Sequence, residues 1–319
     1  MHLSDLHIVQ KNNTYQSDLD KLIDDVSIQV QENHITKLII VVSGDIIDKG
    51  NYDNEGAAIK FFKNLRRKLN SISDQLVEDI QIVPGNHDRE RNIKAELYSR
   101  AFQSKDTAID NEKEWELYKE NNEKFLSFAN DIYEIFGKTP DIKDTFGCEL
   151  KQVGNNRICF LRIDTAWSEY VSQSCKKLRI GSYQLSSLKN QLDSIRTALQ
   201  KKGEKIDVTI AITHHPLSWL TPADEISVKS FFMKEDFLDV DMLLSGHVHN
   251  QSVENLYNHE HSILTLVTGI GWLQDDPQRN KEYRYSIYSL NVFRNCCEII
   301  VRKTNRGNSF DFDYSCLLY

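Results

Sequence analysis

Histidine, carboxylate and amide side chains recur in five short clusters along the sequence. The clusters are Asp5-Leu-His7, Gly44-Asp45-Ile-Ile-Asp48-Lys-Gly50, Gly85-Asn86-His87-Asp88, Thr213-His214-His215-Pro216 and Gly246-His247-Val-His249. They contain six of the ten histidines of the chain. Such mixed ligands suit hard or borderline ions such as Mn, Fe, Zn, Co or Ni, and not a thiolate-bound structural zinc. Seven ligand side chains are too many for one ion, so the pattern predicts two ions bridged by one carboxylate.

Each cluster taken alone also has an ordinary structural explanation. Asp5-x-His7 and Gly44-Asp45 are compatible with turns, and His214-His215 with a capping or core pair. His-x-His pairs such as the one at 247 and 249 are common on extended segments. Gly85-Asn86-His87-Asp88 is the most informative cluster, because its side chains could ligate, protonate and orient. The inference of chemistry therefore depends on the clusters occurring together.

Most of the clusters follow a segment that is predicted to be a strand. Leu38 to Val42 is a continuous apolar run, typical of a strand buried on both faces. Further strands are predicted at Ile80–Val83, Asp207–Thr213 and Val240–Ser245. Because the carboxyl ends of strands in an open α/β sheet face one crevice, the five loops can bring their side chains together.

Helical periodicity separates these strands and predicts an α/β fold over 1–319 as one domain. Helices are expected over residues 15–32, from Ala57 to Leu69 and from Leu185 to Leu199. Residues 89–147 interrupt the alternation and are interpreted as a mostly helical insertion ended by Gly137 and Pro140. One helical face is expected to carry Tyr118, Phe125, Ala129, Ile132 and Phe136. This insertion is either a cap over the crevice or a peripheral helical hairpin. A hairpin around 154–156 and strands near the end of the chain complete the pattern.

Composition excludes several classes of protein. The 319 residues are 40% hydrophobic, and no run approaches the ~18 apolar residues of a membrane span. The net charge of −8 argues against a dedicated non-specific nucleic-acid binder, although an enzyme can bind phosphate through metal ions. The six cysteines form no Cys-x-x-Cys pair, and no signal peptide is visible, so a cytoplasmic protein without membrane partners is expected. No oligomeric state is predicted.

The five clusters, in this order, resemble the motifs of the metallophosphoesterase family, the calcineurin-like superfamily. The family pattern is Asp-x-His, Gly-Asp-x-x-Asp-x-Gly, Gly-Asn-His-(Asp/Glu), a downstream His and Gly-His-x-His, and the match extends from Asp5 to His249. The resemblance implies two mixed β-sheets packed as a sandwich and flanked by helices. One departure is that only four residues precede Asp5, where the family has a longer first strand.

The resemblance also implies a role for individual residues. One ion would be bound by Asp5, His7 and His249, the other by Asn86, His214 and His247, and Asp45 would bridge them. His87 would be the catalytic acid, oriented by Asp48. His215 and Arg89 are expected to contact substrate.

The implied activity is hydrolysis of a phosphoester by a hydroxide that two divalent ions activate, with manganese favoured over Fe, Zn, Co or Ni. A phosphodiesterase of nucleotides or nucleic acid is favoured, on the compact His214-His215-Pro216 motif. The alternatives are a phosphomonoesterase and a non-catalytic scaffold of the same fold. The intact ligand motifs and His87 argue against the scaffold.

Overall fold

A computed structural model describes residues 1–9, 13–89, 112–119, 122–139, 142–169, 175–248, 252–258, 261–268, 284–294, 296–304 and 310–318. The helices in these ranges are α1 Asn13–Glu32, α2 Glu55–Asn70, α3 Glu112–Lys119, α4 Glu123–Ile135, α5 Ser182–Gln200 and α6 Pro222–Phe232. The strands are β1 His2–Leu3, β2 Leu38–Val42, β3 Val77–Ile82, β4 Gly147–Val153, β5 Asn156–Arg162, β6 Val208–Ile212, β7 Met242–Ser245, β8 Ser252–Tyr257, β9 Ser262–Val267, β10 Arg284–Asn291, β11 Cys296–Thr304 and β12 Phe310–Leu318.

The strands form two six-stranded mixed sheets. The first has the order β12-β11-β10-β1-β2-β3, in which β1, β2 and β3 are parallel. The second has the order β4-β5-β6-β7-β9-β8, in which β5, β6, β7 and β9 are parallel. The predicted fold class of two mixed sheets with flanking helices is confirmed.

Side chains on alternating positions of the central strands enter different hydrophobic layers. In β2, Ile40 and Val42 pack with α1, α2 and α4, whereas Val41 packs against the second sheet. In β7, Leu243 packs towards α5 and α6, and Met242 and Leu244 pack between the sheets. Strands that bury both faces need apolar residues at consecutive positions, which explains the uninterrupted apolar runs.

The prediction that one helical face of the insertion carries both Tyr118 and Phe125 is wrong. Tyr118 lies in α3 and packs into the core of the second sheet, whereas Phe125 lies in α4 and packs into the core of the first. The Asn122 side chain donates to the carbonyl of Tyr118 (2.9 Å), satisfying a carbonyl that α3 leaves open where it ends. Gly137 ends α4 with a φ of 78°, as predicted. Residues 90–111, 120–121 and 140–141 lie outside the described residues, and the cap stays a prediction.

No helix in the described ranges has both the length and the apolar character that crossing a membrane would require.

Candidate metal centre

The loops that carry the clusters follow β1, β2, β3, β6 and β7, at the carboxyl ends of the parallel strands. The first two loops are tied together, because Asp5 N–H donates to Gly44 O (3.0 Å) and His7 N–H donates to Asp45 O (2.9 Å). The loops of the two sheets are joined as well, since His214 Nδ1–H donates to Ser43 O and His247 N–H donates to Asp5 Oδ2. Both sheets therefore contribute side chains to one crevice.

Four of the predicted ligands have a left-handed backbone conformation. The φ angles are 56° at Asp5, 42° at His7, 54° at Asp45 and 68° at His247. This region costs non-glycine residues about 1–3 kcal/mol each and is tolerated where the surroundings enforce it, often at functional sites. Four of the eight non-glycine residues with positive φ in the described ranges are therefore expected metal ligands.

Glycines allow the loops to approach one another closely. A methyl group on Gly44, whose φ is 92°, would lie 2.6 Å from Gly85 N and 2.7 Å from His214 Nδ1. A methyl group on Gly85 would overlap Asp45, and one on Gly246 would overlap Ser4 and lie 2.8 Å from Asp5 Oδ2. The glycine that opens each of these three clusters is thus required sterically.

The first group of converging ligand atoms surrounds His214. Its Nδ1–H donates to the Ser43 carbonyl (2.7 Å), which turns Nε2 towards the other ligand atoms. That Nε2 lies 3.1 Å from Asn86 Oδ1, 3.1 Å from His247 Nδ1 and 3.4 Å from Asp45 Oδ2. Several lone pairs that face one point in a buried site fit a divalent cation. The structure thus brings together Asn86, His214 and His247, the ligands predicted for one ion.

Asp45 also lies close to His7 and to Asp5, the residues expected to bind the other ion. The Nε2 atom of His7 lies 3.7 Å from Asp45 Oδ2. The Oδ1 atom of Asp5 is buried and has no hydrogen-bond partner among the residues that the structure describes. A buried, unsatisfied carboxylate oxygen also fits a cation, because it is otherwise costly. His249 lies outside the described residues, and its role stays a prediction.

Asp45 connects the two groups. It belongs both to the group with His7 and His87 and to the group with Asp5 and His214, with ligand atoms within 4.8 Å of one another in each. Its other oxygen, Oδ1, accepts the backbone N–H of His87 (2.7 Å). This is the placement that a bridging carboxylate requires.

The charges of the site favour cation binding. Burial opposes ionisation of Asp45, but His214, His7 and His87 together hold its pKa well below the ordinary value. Burial would lower the pKa of His214, but Asp45 and Asp5 raise it to about 10. Burial, followed by the neighbouring His215 and His214, lowers the pKa of His247 to about 2, so this ring is neutral and able to ligate.

His87 lies beside these groups and is partly exposed. Its Nδ1 lies 3.0 Å from Asp48 Oδ1, and the backbone N–H of Lys49 donates to the same ring nitrogen (3.2 Å). Burial would raise the pKa of Asp48, but the hydrogen bond from His87 and the neighbouring charges lower it, so a carboxylate is available to accept the ring proton. The expected pairing of His87 with Asp48 is present.

The two residues expected to contact substrate are turned inwards. His215 is 0% exposed, and both of its ring nitrogens are hydrogen-bonded, to Thr165 and Glu169. The Arg89 guanidinium is buried and donates to the carbonyls of Ala166, Trp167 and Glu169. This geometry favours structural roles for both side chains, so substrate contact by either is not supported.

Three carboxylates near the site received no role in the sequence analysis. Asp88 accepts the backbone N–H groups of Ile46, Ile47 and Gly85, and burial together with the Asp45 charge raises its pKa to about 7. Asp164 and Glu169 hold the loop that follows β5. Asp164 lies two residues after the end of β5, whereas nothing in the sequence marks Glu169.

Comparison with known proteins agrees with the site. A family model described as calcineurin-like phosphoesterase matches residues 1–251. No curated protein matches the sequence.

Solved structures with a similar fold are distant in sequence. GAP50, described as the anchor in the inner membrane complex of Plasmodium, is 15% identical with a TM-score of 0.44, over 99% of this chain and 87% of that chain. The calcineurin-like phosphoesterase YfkN from Bacillus subtilis is 11% identical with a TM-score of 0.38, over 99% of this chain and 88% of that chain. Vps29 from Chaetomium thermophilum is 9% identical with a TM-score of 0.32, over 99% and 95%.

The family model alone covers most of the chain and all five motif clusters. The chain therefore belongs to the calcineurin-like phosphoesterase family.

Proposed function

We propose that this protein is a dinuclear metal phosphodiesterase that acts on nucleotides or nucleic acid. The observation that carries the proposal is the position of Asp45, whose carboxylate is shared by two groups of buried ligand atoms, with the His87–Asp48 pair beside them. A site of this kind needs no nucleophilic serine or cysteine, because water is the nucleophile.

The ligands divide between two ions. Asp5, His7 and the expected His249 would hold one ion, and Asn86, His214 and His247 would hold the other, with Asp45 in common. When bound, the ions would activate water and neutralise the charge on the phosphoryl oxygens, and Mn²⁺ is our first choice. The Ser43 carbonyl holds His214 in the tautomer that presents Nε2 to this position.

His87 would protonate the leaving oxygen. In the protonated ring Nδ1–H would donate to Asp48, which would stabilise the imidazolium. Such general acid catalysis is typically worth 10²–10⁴-fold in rate, and most for a poor leaving group.

Two arguments favour a diester substrate. Arg89 lies next to the motifs in sequence, but its guanidinium donates to main-chain carbonyls. It therefore does not provide the bidentate hydrogen bonds that suit a dianionic monoester. A diester carries a single negative charge and needs less cationic support. The compact His214-His215-Pro216 motif resembles that of the phosphodiesterase branch.

The test compares hydrolysis of bis-p-nitrophenyl phosphate and p-nitrophenyl phosphate by metal-stripped protein, with and without Mn²⁺. We expect Mn²⁺-dependent turnover of the diester. The assay then extends to cyclic nucleotides, single-stranded and duplex DNA, and RNA. Turnover of the monoester alone would assign a phosphomonoesterase. The assay is repeated with Fe, Zn, Co and Ni, and no turnover with any of these ions or with Mn would indicate a non-catalytic protein.

A further inference from the structure

A buried histidine and a buried glutamate form a pair next to the metal position of Asn86, His214 and His247. The Nε2 atom of His215 lies 2.6 Å from Glu169 Oε2, and its Nδ1 lies 3.0 Å from Thr165 Oγ1. Since Thr165 Oγ1 accepts the backbone N–H of His215, its hydroxyl proton can be donated to Nδ1. Nε2 therefore carries the proton that is donated to Glu169.

The pair is in contact with predicted metal ligands. The ring centroid of His215 lies 4.3 Å from that of His247 and 4.6 Å from that of His214. Trp219 also packs on His247, edge to face at 4.2 Å. The orientation of the His247 ring is thus set by its neighbours, and the ring of His215 is in turn set by Glu169.

Glu169 is itself held firmly in place. The guanidinium of Arg89 donates to its carbonyl (3.0 Å) and to that of Ala166 (2.7 Å). The carboxylate of Asp164 accepts the N–H groups of Ala166 and Trp167 at 2.9 and 3.0 Å. Burying a carboxylate is costly unless it is compensated, and a cation on the far side of His215 and His247 would provide such compensation.

We propose that Glu169, acting through His215, is a positioning residue for the metal position of Asn86, His214 and His247; this inference rests on the proposed dinuclear centre. Glu169 fixes the ring that packs on two ligands, and it places a negative charge behind them that favours a bound cation. Loss of such an outer partner typically weakens metal binding 10–100-fold.

The test is calorimetric titration of metal-stripped protein with Mn²⁺. We expect two binding events in the wild type. Glu169→Ala should weaken one of them about 10–100-fold and leave the other unchanged. Glu169→Gln keeps an acceptor for His215 but removes the negative charge, so it should recover only part of the affinity, whereas a merely structural role would predict full recovery. Asp239→Asn is the matched control, because Asp239 faces His261 (3.7 Å) at the opposite end of β7.

The outcomes separate this inference from the proposed function. If the wild type binds no Mn²⁺, the dinuclear centre itself fails. If the wild type binds two ions and folded Glu169→Ala binds both with unchanged affinity, only the role of Glu169 is overturned. Should Glu169→Ala not fold, Glu169→Asp decides, since its shorter side chain withdraws the carboxylate from His215, and unchanged affinity there overturns the inference equally.

Discussion

Replacing Gly85 by alanine perturbs the proposed bridging ligand without removing any ligand atom. The new methyl group would lie 2.8 Å from Asp45 Cγ and closer still to Asp45 Oδ1 and to the Asp45 backbone nitrogen. Ordinary contact begins at 3.4 Å, so the carboxyl carbon must retreat by about 0.6 Å or more. The backbone nitrogen cannot rotate away, and Oδ1 also accepts the N–H of His87. The displacement therefore reaches the whole loop.

A shift of this size exceeds the ~0.5 Å within which catalytic groups must be held. We expect Gly85→Ala to lower kcat at saturating Mn²⁺ by on the order of 10²-fold. Overpacking should also destabilise the fold by about 1–3 kcal/mol. The assay is diester hydrolysis together with Mn²⁺ titration and urea unfolding.

Two other glycine substitutions calibrate this result. Gly56 is exposed in α2 and has no atom within 4 Å of the added methyl group, so Gly56→Ala should leave activity unchanged and stabilise by up to about 0.5–1 kcal/mol. Gly246→Ala should also lower activity, because its methyl group would lie 2.8 Å from Ser4 Cβ, which cannot rotate away, and 2.8 Å from Oδ2 of the proposed ligand Asp5. A folded Gly85→Ala variant with wild-type rate and Mn²⁺ affinity would refute the steric reasoning and the place of Asp45 in the site.

Three further predictions follow from the site and its surroundings. Asp45→Asn should abolish diester turnover and reduce both metals in elemental analysis; full turnover with both metals retained would exclude a bridging role. His87→Ala should keep its metals, slow the hydrolysis of diesters with an alkoxide leaving group by about 10²–10⁴-fold, and slow that of p-nitrophenyl diesters far less. Asp48→Asn should show a weaker form of the same pattern. Equal rate losses on both kinds of substrate would rule out the acid role. Burial alone would raise the pKa of Glu149, but Lys138 and hydrogen bonds from Lys151 and Gln81 lower it to about 2. The charge of Glu149 therefore stabilises the fold above its ordinary pKa of 4.5, and this stabilisation is lost as the pH falls towards 2. Glu149→Gln should therefore lower the urea midpoint at neutral pH, and its difference from wild type should shrink on acidification; a difference independent of pH would contradict this.

Much of the architecture could be predicted because hydrophobic periodicity reports burial directly. The apolar run of β2 and the helical spacing in α2 and α5 predict elements that the structure contains. The packing of the insertion could not be predicted in the same way. Tyr118 and Phe125 are seven residues apart, which fits one helical face, but Asn122 satisfies a carbonyl at the end of α3 and the two rings enter different cores.

The candidate site could be predicted as far as its ligand types, because these are fixed by motif and spacing. Asn86, His214 and His247 converge as expected, since they follow strands whose carboxyl ends meet. The inward orientation of His215 and Arg89 could not be foreseen, because it depends on the loop from Asp164 to Glu169, whose contacts are distant in sequence. The sequence alone does not show whether a charged residue next to a motif faces the substrate or the core.

The central claim, a dinuclear centre that shares Asp45, is tested most directly by an anomalous difference map at the manganese edge from crystals grown with Mn²⁺. The account predicts two peaks on either side of the Asp45 carboxylate, one in contact with Asp5 and His7 and the other with Asn86, His214 and His247. A single peak, or peaks that do not contact Asp45, would contradict it.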